Sequence, residues 1–267
     1  MCKIELKNIG YRIGNKNILK DINLTVRENE RWIVLGLNGS GKTTLLSLLA
    51  GYRKTEMGSL YYNGVNCNEQ VQKKLRRETG FISDSFFGAY FRNESALDII
   101  LSGKGGALGY DSTITVNDVA KAKNLLRYFD MVHKAQYPFE LLSKGQQQIA
   151  LICRGFMGER NFLFLDEPCN GLDILMREKV QHLLKEAVYR EETGVVYVTH
   201  HLEEITTDFT HCLLLKNGQQ FAVGTIEKIL SNDTLSAFLG YQADCCWNDH
   251  KLNVKLDIQG VKKIELA

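Results

Sequence analysis

The stretch "GLNGSGKT", Gly36 to Thr43, fits the pattern G-x-x-x-x-G-K-[ST] and lies between an apolar run, "RWIVL", and leucines at helical spacing. That arrangement suits a phosphate. Gly36, Gly39 and Gly41 let successive backbone N–H groups curl around it without Cβ clashes. The N-terminus of the following helix aims partial positive charge at the same place. Lys42 is suited to bridging β- and γ-phosphates, and the Thr43 hydroxyl to ligating Mg²⁺. Asn38, Ser40 and Thr44 are read with the loop as nucleotide-binding residues. A second constellation closes another apolar run, "NFLFLDEP". Asp166 suits an outer-sphere contact with Mg²⁺, and Glu167 suits a base that takes a proton from the attacking water. A solvated acidic pair is the bland alternative, but two carboxylates after so apolar a run are costly without a cation nearby. The residues imply a nucleoside triphosphate with Mg²⁺ and leave the reaction open.

The elements around these residues read as an α/β chain. The opening "CKIELKNIGYRI", the turn "GNKN" and "ILKDINLTV" alternate as strands joined by a turn. "RWIVLGL" is a short strand, and "GKTTLLSLLAG" a helix with Gly51 as its C-cap. "TGFI" reads as a short buried strand. Helical spacing runs from Asn93 to about Met131, broken by glycines from Gly103 to Gly109, and again from about Lys144 to Met157. "NFLFLDEP" and "GVVYVTH" are strands buried on both faces, with the helix "DILMREKVQHLLKEAV" between them. That alternation predicts a parallel sheet. "HCLLLKNGQQFAVG" reads as a hairpin about Asn217-Gly218. After Gly240, Leu252, Val254, Leu256 and Ile258 alternate as one or two strands added to the sheet edge.

Composition narrows the function classes. At 267 residues the chain is long enough for one large domain with a subdomain. Thirty-three basic residues against thirty-one acidic ones leave a formal charge of +2, too little to argue for nucleic acid or an anionic membrane surface. No apolar run reaches membrane-spanning length, and the N-terminus lacks the apolar block of a signal peptide. Seven cysteines without metal-ligand spacing, the pair Cys245-Cys246 included, read as reduced thiols of a cytosolic protein.

"LLSKGQQQIALICRGFM" separates the nucleotide-binding classes. Ser143, Lys144, Gly145 and Gln146 open a helix shortly before the Asp-Glu strand, and the chain here resembles the ATP-binding cassette (ABC) ATPases, whose signature reads L-S-G-G-Q. Alone, "LSKGQ" is also a helix start with Ser143 as N-cap. In order with "GLNGSGKT" and "FLFLDEP", the resemblance covers about 3–240. It implies a P-loop NTPase core with a mainly parallel sheet, an N-terminal antiparallel β-subdomain and an inserted α-helical subdomain at about 85–158. The cassette would occupy 1–240, with a short β-rich extension over 241–267. Asn170-Gly171-Leu172-Asp173 looks like the family's D-loop, which brings Asp173 to the nucleotide. His200 falls at the switch histidine, where it can hold the γ-phosphate and the water in line. Tyr11 looks like the aromatic that stacks on adenine. The resemblance further implies ATP and Mg²⁺ as ligands, a head-to-tail homodimer in which each signature completes the other protomer's site, and transmembrane permease subunits on separate chains. The expected location is cytoplasmic, peripheral on the inner face of the cell membrane. "ALDIILSG" and the tail resemble single-cassette ATPases near the metal-oxyanion and iron-complex importers, which points to import. A soluble ABC ATPase of translation or DNA metabolism is the second reading; the linkers and coiled coils typical of those members are missing from this sequence. A P-loop kinase is the third, and it leaves "LSKGQ" and His200 unexplained.

The chain departs from the family where a glutamine usually closes the strand after the glycine-aromatic pair. In "TGFISDSFFGAYF" Asp84 takes that place, or Ser83 or Ser85 with a shift of one residue. Asp84 is accordingly read as a metal or γ-phosphate sensor, with a loop N-cap as the alternative. The rings of Phe86, Phe87, Tyr90 and Phe91 are expected to divide between packing and a groove for the membrane partner. Replacing Phe86 and Phe87 is expected to uncouple that partner while sparing hydrolysis.

Overall fold

The computed structural model describes residues 2–88, 90–106, 109, 113–158, 160–190 and 193–257. Ile258, expected to end the tail's alternation, and part of the glycine break at 103–109 lie outside the described residues.

The chain opens with a hairpin of Lys3–Ile13 (β1) and Lys16–Arg27 (β2). Arg31–Leu35 (β3) then leads through the glycine-rich loop into the helix Lys42–Leu49 (α1). Gly51, at φ +72°, turns the chain out of that helix. Met57–Tyr62 (β4) and Val65–Asn66 (β5) join the hairpin in an antiparallel four-stranded sheet of order β2-β1-β4-β5. Glu69–Arg77 (α2) leads to Thr79–Ser83 (β6), which is buried throughout. Three further helices follow Asp84–Phe87 (α3): Ala96–Ser102 (α4), Val116–Tyr128 (α5) and Lys144–Gly155 (α6). Side chains cap them; Thr115 and Ser143 each form a capping box, satisfying N–H groups that a helix start leaves unpaired.

Phe162–Asp166 (β7), Ile174–Arg190 (α7) and Gly194–Thr199 (β8) form the crossover expected from the alternation. His211–Lys216 (β9) and Gln219–Thr225 (β10) pair about Asn217 and Gly218, both at positive φ. These strands build a six-stranded sheet of order β10-β9-β3-β8-β7-β6, parallel except at β10. Both β7 and β8 are buried along their whole length, which is why they read as unbroken apolar runs. The sheet places the carboxyl ends of β3, β6, β7 and β8 side by side, where open parallel sheets take their ligands.

After Ile226–Ile229 (α8) and Asn232–Leu239 (α9), the tail differs from expectation. Gln242–Asn248 (β11) and Lys251–Asp257 (β12) form their own two-stranded hairpin rather than extending the sheet edge. Ala243 and Leu252 are buried against the body of the protein, so one apolar face is used for docking. Leu252 N–H donates to the Ile205 carbonyl and Thr207 N–H to that of His250, which fastens the hairpin beside the segment after β8.

Candidate active site

The loop between β3 and α1 is shaped by what its glycines avoid. A Cβ at Gly41, whose φ is +105°, would lie 2.7 Å from Leu19 Cδ2 and 3.0 Å from the Ile18 carbonyl oxygen. A Cβ at Gly36 would lie 2.6 Å from the Leu215 carbonyl oxygen. These close approaches leave no room for side chains at the two positions, and the loop is drawn in further by the Ser40 N–H, which donates to the Leu37 carbonyl at 3.1 Å. The Ser40 hydroxyl is buried with no hydrogen-bond partner among the described residues, as a group awaiting a phosphate oxygen would be. Lys42 is buried, and its ammonium donates to the carbonyls of Gly36 at 2.7 Å and Leu37 at 3.3 Å. Burial lowers its pKa, while the carboxylates of Glu167 and Asp166 oppose that shift.

Asp166, closing β7, gathers hydroxyls. Its Oδ2 accepts from Thr43 Oγ1 at 2.6 Å, Ser83 Oγ at 2.7 Å and Ser85 Oγ at 3.0 Å. Thr43 is at the start of α1, whereas Ser83 and Ser85 flank the end of β6, so three elements converge on one oxygen. Carboxylate and hydroxyl oxygens are the hard donors that suit Mg²⁺, which takes few protein ligands and completes its shell with phosphates and water. Among the described residues no group of three or more His, Cys, Asp or Glu side chains forms a metal cage. The fit to Mg²⁺ therefore rests on Thr43, Ser85 and Asp166.

Glu167, the next residue, has φ +50°, which turns its side chain away from the strand. Its N–H is held by the Val198 carbonyl of the neighbouring β8 at 3.0 Å. Its Oε1 lies 3.0 Å from His200 Nδ1 and 3.9 Å from Lys42 Nζ. His201 turns instead to Glu203, at 3.2 Å.

Gly41, Lys42, Thr43, Ser85, Asp166 and Glu167 line a cleft of about 620 Å³, while His200 is off that lining and meets it through Glu167. Asn38, Gly39, Thr44 and Asn170 lie on its walls, and Ile13, Lys16 and Ile18 close the end formed by the β1–β2 hairpin. Tyr11, expected to stack on adenine, is not on that wall: its hydroxyl accepts from Arg53 at 2.9 Å, and the ring packs against the core. The exposed Ile13, two residues on, supplies the apolar surface there.

Asp84 reaches the cleft but turns away from the hydroxyl cluster. Its Oδ2 lies 3.9 Å from Lys144 Nζ, and Lys144 lines the same cleft. The place expected for Asp84 beside Thr43 and Asp166 is taken by Ser85, with Ser83 capping α3 through the N–H of Phe86. The signal for this was present: hydroxyls on both sides of Asp84, the shift of one residue raised above. Ser143 and Gln146 are engaged in their capping box, and Gly145 packs near the Gly171 carbonyl. Asp173 caps α7, accepting from Met176 N–H at 2.8 Å. None of these four lines this chain's own cleft. Pocket-lining Gln148, which sequence reasoning missed, donates to the Pro168 carbonyl at 2.8 Å and ties α6 to the turn after Glu167.

Lys42→Ala removes the buried cation and is expected to weaken ATP binding by about 10- to 100-fold, as loss of a charge-assisted contact does. Titration calorimetry with ATP measures this, and unchanged affinity would place the phosphates elsewhere.

Comparison with known proteins identifies the family. The family described as "ABC transporter" matches residues 19–170. The uncharacterized ABC transporter ATP-binding protein YlmA of Bacillus subtilis is 36% identical, over 93% of this chain and 95% of its own length. The molybdate import ATP-binding protein MolC of Haemophilus influenzae is 30% identical, over 88% of this chain and 87% of its own. Among solved structures, the dimeric bacterial ABC transporter cassette MJ0796 superposes with a TM-score of 0.71 at 25% identity, covering 84% of this chain and 98% of its own. With the phosphate loop, the Asp-Glu strand end and the signature helix in one α/β body, the chain belongs to the ABC transporter family as an ATP-hydrolysing ATP-binding cassette.

Proposed function

We propose that this cassette powers substrate import through a membrane transporter, as a head-to-tail pair of identical chains docked on separate transmembrane subunits at the inner face of the cell membrane. The observation that carries its chemical part is the meeting of Lys42, Thr43, Asp166, Glu167 and His200 at neighbouring strand ends. Lys42 and the loop N–H groups hold the phosphates. Thr43, Ser85 and Asp166 would hold Mg²⁺, which would supply positive charge to offset that of the phosphates. Glu167 accepts the proton of the attacking water, and His200, 3.0 Å away, orients Glu167 and reaches toward the γ-phosphate.

Two further observations support the assembly. Ser143, Gly145 and Gln146 stand at the start of a 12-residue helix and do not line the cleft of their own chain, although Lys144 between them does, which suits a signature that serves a second protomer's nucleotide. Among the described residues no helix is long and apolar enough to cross a membrane, as suits a cassette that docks on separate transmembrane subunits. The likeness to a cassette named for molybdate import favours import. Purification of the tagged chain from detergent-solubilised membranes of its own cell tests the proposal. It is expected to carry a polytopic membrane subunit, and the reconstituted pair to take up solute into vesicles in proportion to ATP consumed. Efflux would reverse the direction, and recovery on ribosomes or DNA alone would replace transport with the soluble reading.

A further inference from the structure

Behind the catalytic turns lies a carboxylate that the hydrolytic scheme does not use. Glu204 sits in the short turn Leu202–Glu204 that follows the switch histidine. Its Oε2 accepts from Thr199 Oγ1 at 2.7 Å and lies 3.1 Å from the Tyr197 hydroxyl. Thr199 is 1% exposed and immediately precedes His200. The direction of its hydrogen bond is set, because the N–H of His201 donates to the same Oγ1 at 2.9 Å. The hydroxyl proton is thereby left for Glu204. The backbone on both sides of His200 is thus fixed through one threonine oxygen, and that oxygen is fixed by one carboxylate.

The second arm of the cluster reaches the other turn. Tyr197 is buried, and its hydroxyl lies 3.7 Å from Cys169 Sγ, two residues beyond Glu167. Burial foremost pushes the Tyr197 hydroxyl well above its ordinary pKa, which keeps it a donor beside the carboxylate. Glu204 therefore joins the turn carrying His200 to the turn carrying Glu167, whose side chains meet at 3.0 Å. From behind, the chain is anchored by the fully buried Ile205, whose carbonyl accepts from Leu252 N–H of the C-terminal hairpin.

We infer that Glu204 is a positioning residue for hydrolysis, setting the approach of His200 to Glu167 through Thr199 and Tyr197. It does not line the nucleotide cleft. Its loss leaves the phosphate loop intact and loosens the pair that directs the water. The inference rests on the hydrolytic roles proposed for Glu167 and His200.

Steady-state ATP hydrolysis by the intact chain tests it. Glu204→Ala is expected to lower kcat by about tenfold with the KM for ATP changed less than about twofold, since a misplaced catalytic group costs rate rather than ground-state binding. Glu204→Gln keeps a carbonyl acceptor for both hydroxyls and is expected to restore most of the rate. In a His200→Ala background, single-turnover hydrolysis of radiolabelled ATP is expected to show no additional loss from Glu204→Ala, because the two act as a unit. An equal tenfold loss in both backgrounds, or a wild-type kcat in Glu204→Ala, would overturn the inference. Should the alanine variant fail to fold, Thr199→Val against Thr199→Ser carries the same comparison, with serine retaining the hydroxyl. If Glu167→Gln itself turns over normally, the hydrolytic reading fails; loss there with no loss in Glu204→Ala removes the positioning role alone.

Discussion

Glu167→Gln is expected to reduce ATP turnover by about 100- to 10,000-fold, the usual contribution of a general base, while ATP still binds. The substitution keeps the size of the side chain and the turn at φ +50°, and takes away the proton acceptor. His200 Nδ1, 3.0 Å from Oε1, can still hydrogen-bond the amide oxygen, so the neighbouring turn has no reason to move. Removing the negative charge 3.9 Å from Lys42 Nζ leaves that cation freer for phosphate, so affinity should hold or rise. On the head-to-tail reading, ATP bound but not cleaved keeps two chains together. Phosphate release, nucleotide affinity and light scattering with ATP measure the three effects. Undiminished turnover would move the base to another residue.

Phe87→Ala is expected to cost about 3–5 kcal/mol of folding stability, the range for emptying a buried aromatic site. The ring is fully buried, with Phe81, Phe86, Tyr52 and Phe91 packed around it at centroid distances of 5.2, 5.0, 5.4 and 5.5 Å. Its face also meets the Arg154 guanidinium, whose Cζ lies 4.2 Å from the centroid. Arg154 belongs to α6, is 2% exposed, and donates further to Ser102 Oγ and the Tyr52 hydroxyl. A desolvated cation over an aromatic face adds about 2 kcal/mol or more. The cluster thus pins the end of β6 and the short helix after it, which carry Ser83 and Ser85, to the helix that begins at the signature. Urea unfolding measures the loss. Tyr90→Ala, at a ring 53% exposed, serves as the comparison and is expected to cost no more than about 1 kcal/mol. Equal costs at the two positions would mean that the cluster does not act as a core.

The burial of these rings corrects the expectation that replacing Phe86 and Phe87 would uncouple a membrane partner, and of the four rings expected to divide between packing and a partner groove it assigns three to packing. Phe86, Phe87 and Phe91 are all buried, and only Tyr90 of the four rings faces outward. Replacing Phe86 and Phe87 would therefore unsettle the body of the protein rather than uncouple a partner. A run of aromatics does not declare its direction in sequence, because the same rings suit a core or an interface.

Much of the chemistry was legible without coordinates. "GLNGSGKT" and "FLFLDEP" carry their function in the order of residue types, since a strand, a glycine turn and a helix start are all local features. The parallel sheet followed from unbroken apolar runs separated by a helix, and the tight hairpin from Asn217-Gly218. What sequence could not decide depended on which distant atoms meet. Tyr11 and Ile13 lie on one strand two residues apart, yet only the path of the β1–β2 hairpin over the cleft selects Ile13 for its wall. Around Asp84, a shift of one residue decides which side chain faces Asp166. The short helix α3 begins there and turns Ser85 inward and Asp84 toward Lys144. The tail's alternation is that of strands in either arrangement, and only docking against Ile205 and Thr207 separates its hairpin from the main sheet. Glu204, too, is an ordinary acidic residue in "HHLEEI"; the turn after β8 folds it back onto Tyr197 and Thr199, and pairing of β7 with β8 brings Cys169 to Tyr197. Local spacing determined that the chain binds a nucleoside triphosphate, and packing of remote segments decided which neighbours hold the reacting groups in place.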